Sequence, residues 1–238
     1  MMRRSVTAKA AAMTALLVVL ATDAPNAGAA AGSDRLNSGE RLSAGQSLRN
    51  SAGDSVVMQS DGNFVLYAPG GAALWSTGTS GHPSAFVVMQ TDGNLVVYSS
   101  GGSPLWNAGT YHTGGYVVIQ DDVNFVVYGS TGAKWQSDTR VKGYAANRLG
   151  GYGWANNTQY SCLNHLWQQE SGWQYNATNP SSGAYGIPQS LPGNKMATAG
   201  SDWQTNPQTQ IRWGQDYIQG RYGNPCAAES HEIQYGYY

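Results

Sequence analysis

Five side chains of fixed type recur at fixed spacing three times in the first half of the chain. Gln59, Asp61, Asn63, Val65 and Tyr67 return as Gln90, Asp92, Asn94, Val96 and Tyr98, and again as Gln120, Asp122, Asn124, Val126 and Tyr128. Gln59, Gln90 and Gln120 lie 31 and then 30 residues apart, the length of a supersecondary unit. Residues two apart share one side of a strand, so each set forms a polar row, while Val56, Met58, Phe64 and Leu66 form the apolar row behind the first. Such a polar row suits a neutral sugar. Carboxylate and amide groups grip adjacent hydroxyls as acceptors and donors, and Val and Tyr cover the apolar C–H surface. A repeat that served the fold alone would need the apolar row and the turns, not matching polar side chains in every copy.

A different chemistry is written in the second half. Tyr160, Leu163, Trp167 and Glu170 fall on one face of a helix expected from Gln159 to about Glu170, capped by Asn157-Thr158 and ended by Ser171-Gly172. A carboxyl group at the end of an apolar stripe is desolvated, and the negative end of the helix opposes its ionisation, so both effects raise its pKa. A carboxyl that stays protonated near neutral pH is what general acid work on a glycosidic oxygen requires. The same spacing also allows a helix-end Glu turned to solvent. Four other carboxylates follow residue 143 (Asp202, Asp216, Glu229, Glu232), none in the loop just after Glu170. His82, His112, His165 and His231 show no metal-ligand spacing, and no Ser or Cys nucleophile motif appears, so neither a metal nor a cofactor is expected.

Two resemblances attach to these residues. The pattern Gln-x-Asp-x-Asn-x-Val-x-Tyr, three times over roughly residues 34–140, resembles the bulb-type (monocot) mannose-binding lectins. It implies an all-β prism of three four-stranded sheets about a pseudo-threefold axis. It also implies mannose-containing glycans as partners, with Asp and Asn on the axial 2-hydroxyl, Gln and Tyr on the 3- and 4-hydroxyls, and Val against the ring. Glu170-Ser-Gly-Trp173, the stretch from Ser182 to Gln189, and Tyr217-Ile218 with Arg221-Tyr222-Gly223 resemble the lysozyme-like lytic transglycosylases, which cut bacterial cell-wall glycan. That resemblance runs from about residue 143 to 238 and implies a small, mainly α, lysozyme-like domain acting on peptidoglycan. It gives Glu170 the acid/base role and Gly186, Gln189 and Tyr217 the cleft wall. Ile187-Pro188 stand where the family has Leu-Met, and the family's late Tyr-Asn-Ala-Gly is echoed only by Tyr235-Gly236-Tyr237, which makes Tyr235 the candidate there. The rival reading is a lectin, or a lectin-type antibacterial protein, whose second domain is a scaffold without catalysis.

The elements that must position these groups are short. Leu36, Leu42 and Leu48 read as strands supplying the outer part of the first sheet. Each repeat ends in a Trp (Trp75, Trp106, Trp135), either a sugar platform or packing at the centre of the prism. The third repeat departs from the others: Lys134 replaces Leu, and Val123 stands where Gly62 and Gly93 occupy the turn. A β-branched residue is strained there if the turn needs positive φ, so the third row is expected to be the weakest.

Composition bounds the rest. With 11% charged residues and a net charge of −1, the chain lacks the basic stripe that nucleic acid calls for. No apolar run is long enough to span a membrane. Arg3, Arg4 and Lys9 before an apolar run from Ala10 to Leu20, then small residues at Ala27–Ala31, read as a secretory signal over residues 1–31, removed by the general pathway. The mature protein is therefore expected outside the cytoplasm, free or associated with the cell wall. There Cys162 and Cys226 read as a disulfide, in a domain small enough to need one.

Overall fold

A computed structural model describes residues 33–238, so the expected export signal lies outside the described residues. Among the described residues, twelve short strands precede four α-helices. Each repeat is a three-stranded antiparallel meander. The first is β4 (Ser55–Met58), β5 (Phe64–Tyr67) and β6 (Ala73–Ser76); the second is β7 (Phe86–Met89), β8 (Leu95–Tyr98) and β9 (Pro104–Asn107); the third is β10 (Tyr116–Ile119), β11 (Phe125–Gly129) and β12 (Gly132–Gln136). The fourth strand of each sheet comes from the segment before them, as β1 (Arg35–Asn37), β2 (Arg41–Leu42) and β3 (Ser47–Arg49).

That segment corrects the sequence reading. It does not build the outer part of one sheet. β1 joins the third sheet beside β10, β2 the second beside β7, and only β3 the first beside β4. The spacing of Leu36, Leu42 and Leu48 explains it, because each is 0–1% exposed and fills the inner face of a different sheet as the chain crosses the prism. The chain before the repeats thereby pins all three sheets together.

The apolar rows meet on the prism axis. Trp75, Trp106 and Trp135 lie edge to edge with centroids 5.3–5.5 Å apart, and Phe64 and Phe125 pack beside them. Of the two readings of these Trp, packing at the centre is the one the structure shows; mutual edge-to-face contact satisfies their quadrupoles without a ligand. In all three repeats the register slips by one residue at the Tyr, between Leu66 and Tyr67, Val97 and Tyr98, and Val127 and Tyr128. The bulge re-aims each Tyr toward its Gln.

The helices are α1 (Arg140–Arg148), α2 (Asn157–Ser171), α3 (Pro207–Tyr222) and α4 (Pro225–Tyr235). Asn156, one residue before the expected cap, has extended backbone and accepts from Gln159 N, while Gly172 closes α2 in the left-handed conformation. Tyr160, Leu163, Leu166 and Trp167 form the buried stripe of α2. Gly214 lets α3 approach closely: a Cβ there would lie 2.7 Å from the Trp167 ring. Cys162 and Cys226 are bonded and tie α4 to α2.

The two halves are packed together with no free linker. Val123, buried and at φ 65, sits where Gly143 of α1 leaves room for it; a Cβ on Gly143 would come within 2.5 Å of the Val123 Cβ. The expected strain at Val123 is present, and the residue has a purpose. At Gly62 and Gly93 a Cβ would strike backbone of the prism, at 2.2 Å from His82 O and 2.4 Å from Gly114 N, whereas in the third repeat the same space belongs to α1. Thr139 at the start of α1 donates its hydroxyl to Val123 O, and Asn157 Oδ1 of α2 accepts from Ala73 N at 3.4 Å.

Candidate functional site

The three polar rows line the outer grooves of the prism. Gln59 Nε2 donates to Tyr67 Oη at 2.6 Å, Gln90 to Tyr98 at 2.8 Å and Gln120 to Tyr128 at 3.0 Å. In each row the Asp carboxylate accepts from the backbone N of the Asn two residues on, at 2.9, 2.9 and 3.1 Å, which orients the pair. Val65, Val96 and Val126 are only 1–3% exposed, so they form the floor of a groove and present little ring-facing surface. Around the first row the groove is an open pocket of ≈ 320 Å³ that includes Gln59, Asn63, Val65 and Tyr67.

The rows differ in what remains free. Asn63 Oδ1 accepts from Thr79 N and Asn94 Oδ1 from Thr110 N, both at 3.1 Å, leaving each Nδ2 without a protein partner among the described residues. Asn124 Nδ2 instead donates to Gln136 Oε1 at 2.9 Å. Arg140, the first residue of α1, donates to the same Gln136 oxygen at 3.1 Å and stands 3.5 Å from Asp122 Oδ2. The third row is thus engaged by the second half of the chain. Lys134, suspected from the sequence, points elsewhere and donates to Thr131.

In the helical half, Glu170 occupies the last turn of α2, partly buried beyond Trp167. Burial lifts its pKa to about 7, and the charge of Glu232 on α4 pushes the same way. Ser171 Oγ donates to Ile187 O at 2.9 Å, tying the helix end to the loop that carries Gly186 and Gln189. The fully buried Gln210 of α3 holds that loop, accepting from Ile187 N and donating to Tyr175 O and Trp203 O, each at 2.8 Å. Gly186 lies directly under Gln210, which excludes any side chain there.

Gln189 and Tyr217 line one pocket of ≈ 90 Å³ with Pro188, Trp213 and Tyr238. Trp213 and Tyr217 are stacked at 5.2 Å, and Tyr238 lies edge-on to Tyr217 at 6.1 Å. Gln189 spends its amide nitrogen on Gly186 O at 2.9 Å, so its oxygen is the group left to face a ligand. Tyr235 is not brought to this pocket; it is 56% exposed and packs on His231. Tyr238 is there instead, three residues on. Its hydroxyl accepts from Trp167 Nε1 at 2.8 Å, donates to Pro188 O at 3.0 Å and feels the charge of Glu170.

A family model described as the transglycosylase SLT domain matches residues 149–233, the stretch that holds Glu170, Gln189 and Tyr217. Among solved structures, a monomeric monocot mannose-binding lectin from Gastrodia elata is 41% identical, covering 45% of this chain and 98% of its own, with a TM-score of 0.42. In its first half the chain belongs to the monocot mannose-binding lectins. The lectin half is also similar to the mannose-specific agglutinin of snowdrop, Galanthus nivalis, solved with methyl-α-D-mannoside, at 39% identity over 44% of this chain and 96% of that one (TM-score 0.38). A lectin from Allium sativum is 38% identical over 41% and 94% (TM-score 0.38). No curated protein matches the chain.

Beside the lectin half, the three four-stranded sheets and the helical second half agree with the prism and lysozyme-like architectures that the sequence pointed to. Three residues important to the geometry were not read from the sequence. Arg140 and Gln136 close on the third row of the lectin, and Tyr238 stands beside Glu170. The third Tyr in the run Tyr235-Gly236-Tyr237-Tyr238 was the available signal for the last.

Proposed function

We propose that this is an exported protein in which a mannose-binding lectin prism is joined to a peptidoglycan-cleaving domain, with Glu170 as its general acid and base. What carries the proposal is the partly buried carboxyl of Glu170 at the end of α2, its pKa raised to about 7 by burial, near Tyr238, which walls a pocket with Trp213 and Tyr217. In the first step Glu170 gives its proton to the glycosidic oxygen as the bond to the sugar breaks. The resulting carboxylate then takes the proton of that sugar's own 6-hydroxyl as it closes a 1,6-anhydro ring, so the proton count balances and no water is consumed. The family match over residues 149–233 supports this route over hydrolysis. Weighing the fragments of digested wall tests it: anhydromuramic ends, lighter by one water than reducing ends, are expected. Reducing ends would assign hydrolysis, and an intact wall with sugar binding retained would leave a lectin alone.

The pH dependence follows from the acid role. Only the protonated form starts the reaction, so kcat/KM should hold on the acid side and fall as pH rises through about 7. Stability follows the same sign. The folded carboxyl binds its proton more tightly than the unfolded one, for which 4.5 is the ordinary value, so its contribution is complete below 4.5 and is lost as pH rises to about 7. A flat activity profile across this range would remove Glu170 from the acid step.

In the lectin half, the proposed ranking makes the first two rows the stronger sites and the third the weakest, supported by the contacts of Arg140 with Asp122 and of Gln136 with Asn124. With Asp61→Asn and Asp92→Asn in place, residual binding to immobilised mannan reports the third site. Adding Arg140→Ala should raise it about two- to fivefold, the size expected for releasing an exposed ion pair. Unchanged binding would show that the pair does not compete with the sugar.

A further inference from the structure

Glu170 is not alone at the end of α2. The disulfide joins Cys162 to Cys226, and three residues further along both helices His165 Nδ1 meets Glu229 Oε1 at 3.1 Å. α2 and α4 therefore run side by side in one direction. At about 1.5 Å of rise per residue, the same ladder carries Glu232, one turn past Glu229, toward the last turn of α2 where Glu170 sits. Glu232 Oε2 is buried and makes no hydrogen bond. A buried carboxylate oxygen with no partner is costly to the fold and points to a use. Tyr238, hydrogen-bonded to Trp167 and Pro188, feels the charge of both carboxylates.

We infer that Glu232 is the second carboxylate of the Glu170 site, a positioning residue that keeps the Glu170 carboxyl in its acid form. The inference rests on the reading of Glu170 as the acid. Two carboxyl groups sharing a partly buried space do not both ionise readily. Burial raises the carboxyl of Glu232 and His231 opposes it, while the more deeply buried Glu170 is raised to about 7. The other titratable and charged groups around the pair are His165 on α2, Glu229 and His231 on α4, Tyr217, Arg221 and Tyr222 on α3, and Tyr237 and Tyr238 in the tail. The cations among them have other partners: His165 meets Glu229, His231 Nδ1 lies 2.8 Å from Tyr237 O, and Arg221 Nε donates to Tyr222 at 3.0 Å. Among the described residues no cation forms an ion pair with either carboxylate.

The test is a titration of the carboxyl carbons by 13C NMR in the full chain, run beside wall digestion across pH, for wild type, Glu232→Gln and Glu232→Asp. Removing the charge with Glu232→Gln should move the Glu170 midpoint and the alkaline limb of kcat/KM together to lower pH. Glu232→Asp should restore much of the wild-type position. A merely structural role would lower activity at every pH and leave the midpoint in place. A Glu170 midpoint unmoved in Glu232→Gln overturns the inference whatever the activity does. A midpoint that moves in a protein that never cuts wall upholds the pairing and rejects the proposed activity.

Discussion

Glu170→Gln is expected to lower turnover of purified cell wall by 10²–10⁴-fold, to near background. Gln keeps the shape of the side chain at the end of α2 but cannot deliver a proton to the leaving oxygen. No other acid in the helical half combines this position with a pKa lifted to about 7. The variant should fold at least as well as wild type at neutral pH, because a neutral amide removes the cost of ionising a half-buried group whose neighbour is Glu232. Binding to mannan should be unchanged, since none of the three rows contains this residue. Wild-type digestion rates in the variant would end the acid assignment. A parallel loss of mannan binding would show that the substitution had damaged the fold rather than the chemistry.

The disulfide gives the second large effect. Cys162 and Cys226 are 64 residues apart in sequence, and closing a loop of that length contributes about 4 kcal/mol in the chain-entropy model. Cys162→Ala with Cys226→Ala, made together so that no single thiol is left, should lower the melting temperature of the helical half by on the order of 10 °C. The same change frees the register of α4 on α2, so wall digestion should fall before the helices melt. An unchanged melting curve would mean that the packing of α2 on α4 holds the register without the bond.

The prism was legible from the sequence because it is written in a local code. Period-two alternation in Met58–Tyr67 and its two copies gives strands, faces and polar rows without long-range information. What the code lacks is which strand pairs with which: Leu36, Leu42 and Leu48 read as outer strands of the first sheet, yet feed three sheets. The end of α2 was legible for a similar reason, since Tyr160, Leu163 and Trp167 mark the buried face that carries Glu170. The position of Glu232 is not legible locally, because it lies 62 residues beyond Glu170 on a helix that the disulfide ties to α2. The strain at Val123 is legible, but a sequence does not show that Gly143 will leave room for its side chain.

That contact between Val123 and Gly143 has a mechanical consequence. With Thr139 bonded to the same turn and Asn157 reaching back to Ala73, the two halves are joined by three contacts, which restrict how one can turn on the other. On the proposed function, a polymer held in one groove would reach Glu170 over a narrowed range of angles and distances. On that reading the protein would respond to the layout of a surface, sugar to strand, and act less where the spacing of the two differs.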